Sequence, residues 1–137
     1  TGATGATGPQ GPAGLADALY ANALTTTVES ETIVPLTLNV ITPTGTGSIV
    51  AGVAILTSGY YLVNFYLSGS STAPTILQLR LNGTAVSSLT TAETTEDTIS
   101  KSVIINATTN PSTLALYNAG TESITASDVG FTITKLA

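Results

Sequence analysis

The chain has 137 residues, enough for one compact domain and a short appendage. It is 42% apolar yet only 8% charged, against roughly 25% in an ordinary soluble domain; its three cations, Arg80, Lys101 and Lys135, leave a net charge of −5, so neither nucleic acid nor an anionic membrane finds an electrostatic partner. The absence of histidine and cysteine excludes an ordinary zinc site, a Ser-His-Asp relay, a thiolate nucleophile and any disulfide, so stability must come from packing or from oligomerisation.

In chain order, glycine stands first at 2, 5, 8, 11 and 14, giving Gly2-Ala3-Thr4, Gly5-Ala6-Thr7, Gly8-Pro9-Gln10, Gly11-Pro12-Ala13 and Gly14-Leu15-Ala16. A collagen triple helix requires this period, because only glycine fits at the axis where three polyproline-like chains meet. Pro9 and Pro12 preset the backbone for it. A flexible linker of the same composition has no reason to keep register. Residues 1–16 therefore read as the end of a collagen-like stalk. Thr4 and Thr7 occupy outward Y positions and are candidate O-glycosylation sites. The chain begins inside the repeat and without methionine, and is expected to be a piece of a longer protein.

From residue 17 to 137 the period of three gives way to alternation with period two, broken by Gly, Pro, Asn and Ser/Thr clusters, which predicts an all-β head. Strands are expected at Leu19–Ala23 and Thr32–Ile41, the latter at an edge or bulged because of Pro35. Ser48–Leu56 is apolar on both faces and reads as one strand buried on two sides; even this run is far short of the roughly 20 residues of a membrane helix. Tyr60–Ser68 alternates Tyr61, Val63, Phe65 and Leu67 with Tyr60, Leu62, Asn64 and Tyr66. A hairpin follows: Leu77, Leu79 and Leu81 alternate with polar residues, Asn82-Gly83 supplies a type I′ turn, and Thr84–Leu89 returns. Thr98–Ala107, Thr113–Asn118 and Val129–Leu136 complete about eight or nine strands, which fit a jelly-roll β-sandwich.

A two-layer sandwich leaves one face of each strand to solvent, so apolar residues on the second face need cover. Val50, Leu56, Tyr60, Leu62 and Tyr66 are accordingly candidates for a trimer interface, the number three being that of a collagen helix. Glu93, Glu96 and Asp97 read as a solvated acidic loop lacking the spacing of a calcium loop. Glu29 and Glu31 read as exposed, alternating along a strand. Arg80 and Lys101 read as lone charges protecting sheet edges. Ser100-Lys101-Ser102 has no oxyanion motif to make it a Ser-Lys nucleophile. No catalytic residue, metal or cofactor is expected.

Gly59-Tyr60-Tyr61-Leu62-Val63-Asn64-Phe65-Tyr66-Leu67, then Leu77 to Val86 around Asn82-Gly83, and the ending Val129-Gly130-Phe131-Thr132-Ile133-Thr134-Lys135-Leu136-Ala137 resemble the heads of the complement/tumour-necrosis-factor superfamily. With the Gly-X-Thr stalk and the cysteine-free, Thr/Ser-rich head, the whole chain is similar to the C-terminal part of BclA-type collagen-like glycoproteins of bacterial spore exosporia. That resemblance implies a ten-stranded jelly roll, a tight homotrimer, an extracellular place at the tip of spore-surface filaments, O-glycans on stalk threonines, and no catalytic residues. Other exosporium proteins or a host-surface ligand are further partners in this picture. The competing function is an adhesin or lectin-like tip binding glycans or proteins.

Overall fold

The computed structural model of the chain describes residues 18–42, 47–71, 75–91 and 97–136. The Gly-X-Y repeat with Thr4 and Thr7, and the loop residues Glu93 and Glu96, lie outside the described residues.

Ten strands follow one another: β1 (Ala18–Val28), β2 (Thr37–Thr42), β3 (Gly47–Val50), β4 (Val53–Leu56), β5 (Gly59–Ser71), β6 (Thr75–Leu81), β7 (Thr84–Thr91), β8 (Asp97–Ala107), β9 (Ser112–Asn118) and β10 (Ile124–Lys135). No helix occurs among the described residues. The strands form two five-stranded antiparallel sheets, a first sheet ordered β2-β1-β10-β5-β8 and a second ordered β3-β4-β9-β6-β7. This is the jelly-roll sandwich that the alternation predicts. Between the sheets, Leu19, Tyr61, Phe65, Phe131 and Ile133 of the first meet Leu56, Leu77, Leu79, Leu114 and Leu116 of the second, all fully buried. Removing each such side chain from water stabilises the fold by roughly 1.5–3 kcal/mol.

The structure corrects several sequence expectations. Ser48–Leu56 is not one strand but the β3–β4 hairpin, with Val50 opposite Val53 and Ile49 opposite Ala54. Its turn residues Ala51 and Gly52 have φ of 51° and 83°, the left-handed pair that a two-residue hairpin needs. A Cβ at Gly52 would lie 2.5 Å from the Val34 carbonyl oxygen, so the turn is seated tightly on the neighbouring segment. One of the interface candidates falls with the single-strand reading: Leu56 is buried in the chain's own core, 1% exposed, and has no surface left for a neighbour.

Thr32–Ile41 also divides. Glu31 N donates to Asn118 O (2.7 Å), Asn118 N to Thr32 O (3.0 Å) and Val34 N to Leu116 O (2.8 Å), so residues 31–34 run beside β9 in the second sheet. Proline brings no N–H to continue that ladder. Leu36 N instead donates back to Val34 O at 2.9 Å, closing a tight turn about Pro35, and the chain crosses to the first sheet as edge strand β2. Glu29 and Glu31, both exposed, sit in the turn after β1 rather than along a strand: Thr32 donates both its N–H and its hydroxyl to the Glu29 carbonyl, and Glu31 has φ 61°.

A further correction concerns Arg80. Lys101 lies on edge strand β8 and its Nζ donates to Ser88 O of β7 at 3.3 Å, joining the rims of the two sheets. Arg80 is on β6, between β7 and β9, where it guards no edge. Its guanidinium lies 4.2 Å from the Tyr117 ring centroid and its Nε donates to Gln78 Oε1 at 2.6 Å. The Asn82-Gly83 turn forms where the sequence places it, with φ of 51° and 83°.

Candidate functional site

The strand registers lay out the outer face of the first sheet row by row. Ala18, Thr134, Leu62 and Ile104 form one row across β1, β10, β5 and β8; Tyr20, Thr132, Asn64 and Ser102 form the next; Asn22, Gly130, Tyr66 and Ser100 a third; Leu24, Asp128, Ser68 and Thr98 a fourth. Beyond the first row, Tyr60 stands opposite Asn106 and Leu136 donates its N–H to Tyr60 O. Because side chains alternate along each strand, all of these point away from the core that Tyr61, Val63 and Phe65 fill.

The face has two halves. At the end where β1 begins, Leu136 (50% exposed), Tyr60 (50%), Leu62 (39%) and Ile104 (63%) make a contiguous apolar patch open to water. Farther along lies a polar cluster. Tyr66 donates its hydroxyl proton to Asp128 Oδ1 at 2.9 Å, so the 2.8 Å contact between the Tyr20 and Tyr66 oxygens must have Tyr20 as donor. Asn22 Nδ2 also donates to Asp128 Oδ1, at 3.3 Å. Gly130 makes room beneath them: a Cβ there would lie 2.3 Å from the Ala21 carbonyl oxygen and 2.8 Å from the Asn22 Cβ.

Desolvation first, and then the hydrogen bond donated to Asp128 and the Asp128 charge, hold the Tyr66 phenol well above its ordinary range. A phenol so held stays protonated and acts as a donor, not as a base or nucleophile. Ser100 and Ser102 lie on this outer face while Lys101, one residue between them, reaches the other way to Ser88, so no Ser-Lys pair forms.

Of the sequence candidates, Tyr60, Leu62 and Tyr66 therefore share one face. Val50, 57% exposed, does not join them: it ends edge strand β3 of the second sheet. Tyr66 differs from the other two in being half-buried and spent on hydrogen bonds. Sequence reasoning missed Ile104, Tyr20, Asn22 and Asp128. The signal for Ile104 and Tyr20 was the alternation around them, since Ile105 and Ala107, or Leu19 and Ala21, take the inner positions.

No protein-family model matches the chain, and no curated protein does. Solved structures do. Eiger TNF from S. frugiperda superposes with a TM-score of 0.73 at 13% identity, covering 88% of this chain and 94% of that one. Murine APRIL gives 0.71 at 9%, covering 88% and 99%. The globular domain of zebrafish complement 1qA protein gives 0.56 at 16%, covering 88% and 96%. The likeness is one of fold: the head is a TNF- and complement-like jelly roll.

Proposed function

We propose that this chain is a structural, non-enzymatic protein in which the head joins two further copies through the outer face of the first sheet and holds three collagen-like stalk ends in register. The observation that carries the reading is the contiguous apolar patch of Leu136, Tyr60, Leu62 and Ile104 on the outside of a two-layer sandwich. Monomers rarely leave such a surface to water, and a sister head is the cover a symmetric homo-oligomer supplies. The copy number of three follows from the Gly-X-Y repeat, and the homotrimer implied by the sequence resemblance agrees with it. Tethering three stalk ends at one point raises their effective concentration and so favours triple-helix nucleation. By the same resemblance, the proposed setting is the tip of a filament on a bacterial spore surface.

Sedimentation equilibrium of the chain at micromolar concentration should return three copies; a monomer would sink the proposal. Ile104→Glu combined with Leu62→Asp should give a folded monomer, because both positions already face water in the isolated head. Immunogold labelling of intact spores with an antibody to the head tests the setting separately.

A further inference from the structure

The outer face of the second sheet, on the opposite side of the sandwich from the apolar patch, carries a half-buried cluster built around Arg80. Arg80 and Gln78 are two residues apart on β6 and so share that face. Gln78 stands between Tyr117 of β9 and Ser88 of β7, and Arg80 between Ala115 and Ala85. With only a methyl group opposite it on β9, the Arg80 side chain leans diagonally and lays its guanidinium over the Tyr117 ring, 4.2 Å from the centroid. Its Nε donates to Gln78 Oε1 at 2.6 Å, which fixes the plane of the fork. Among the described residues, neither Nη group of Arg80, nor Gln78 Nε2, nor the Tyr117 hydroxyl has a hydrogen-bond partner, and no carboxylate pairs with the guanidinium. The nitrogens left over can only donate, so whatever satisfies them must bring acceptors. The open edge of the guanidinium carries both Nη groups, the fork that a carboxylate meets with its two oxygens.

We propose that this cluster binds an acidic sugar, with the ligand's carboxylate in the Nη fork of Arg80 and its ring hydroxyls on Gln78 Nε2, the Tyr117 hydroxyl and Ser88. Stacking and the Gln78 bond hold the guanidinium in place before the ligand arrives, so little side-chain freedom is lost on binding. A sugar suits the surroundings better than a peptide does. β6 and β9 are paired on both sides, which leaves no strand edge for a peptide backbone to extend. The flanking Ala85, Ser88 and Ala115 are small and form no apolar pocket for a peptide side chain, whereas the free amide and hydroxyl groups match a polyhydroxylated ring. The site lies outside the assembly face and is the same on one head as on three.

In the isotopically labelled full chain, titration with glucuronate should move the Arg80 Nε–H and Gln78 side-chain amide resonances along saturable curves, while glucose at the same concentrations leaves them in place. Arg80→Gln, which removes the charge-assisted pair of hydrogen bonds, should weaken glucuronate binding about tenfold or more, read on the Gln78 and β9 amides. Lys135→Gln, which removes one positive charge from the first sheet, should leave the affinity unchanged. Shifts that never saturate would overturn the site, as would an unchanged affinity in Arg80→Gln or an equal loss in Lys135→Gln, the mark of bulk charge alone. Acetate or a short polyaspartate peptide binding as tightly as glucuronate would overturn the assignment to a sugar. The titration needs only a folded head, so its failure leaves the trimer standing, and a monomer in sedimentation leaves the sugar site standing.

Discussion

A tyrosine that gives its only proton to a carboxylate and accepts one from a second tyrosine has no capacity left for other chemistry, and this is the situation of Tyr66. Its burial and its bond to the Asp128 carboxylate favour the protonated phenol in the fold. The contribution is therefore present in full below the unfolded phenol's value of about 10 and is lost as pH rises through and beyond it. Tyr66→Phe should lower stability at neutral pH by about 1 kcal/mol, the net value of a hydrogen bond. The same variant should flatten the decline in stability between about pH 9 and 11, as read by urea unfolding; an unchanged alkaline slope would show that Tyr66 is not its source. The cluster itself was not legible in the sequence. Tyr20, Tyr66 and Asp128 are brought together by strand pairing across β1, β10 and β5 and by the bare backbone of Gly130, neither of which alternation encodes.

The two hairpin turns make a matched comparison. Gly83 and Gly52 both have φ of 83°, but a Cβ at Gly83 meets nothing within 4 Å whereas one at Gly52 meets Val34 O at 2.5 Å. Gly83→Ala should cost about 1–2 kcal/mol from backbone conformation alone. Gly52→Ala should cost clearly more, because the segment carrying Val34 must shift as well; equal losses in thermal unfolding would contradict this. The Asn82-Gly83 turn was legible because both residues are suited to φ > 0. The β3–β4 turn was not, since Val50-Ala51-Gly52-Val53 reads as an apolar run, and the sequence does not announce that Gly52 packs closely against residues 34–36. The break at Pro35 was half legible: proline announces an edge or a bulge, but not that the chain exchanges one sheet for the other there. Alternation alone sufficed for β5, where long strict periodicity separates Tyr61, Val63 and Phe65 from Tyr60, Leu62 and Asn64.

For the molecule as a whole, protection follows sheet position. β10 and β5 are hydrogen-bonded on both sides in the first sheet, while β2 and β3 are short edge strands. Amide exchange should be slowest in β10 and β5 and fast along the free sides of β2 and β3; the reverse order would contradict this sheet assignment. The head's few cations are held by groups other than carboxylates: Arg80 by a ring and an amide, Lys101 by a carbonyl, and Lys135 by the Thr57 hydroxyl with the Tyr61 ring nearby. Contacts of this kind at close range are little weakened by mobile ions, which screen mainly separated, water-exposed charges. The melting temperature should thus barely move between dilute buffer and brine, as read by a thermal melt at each salt concentration.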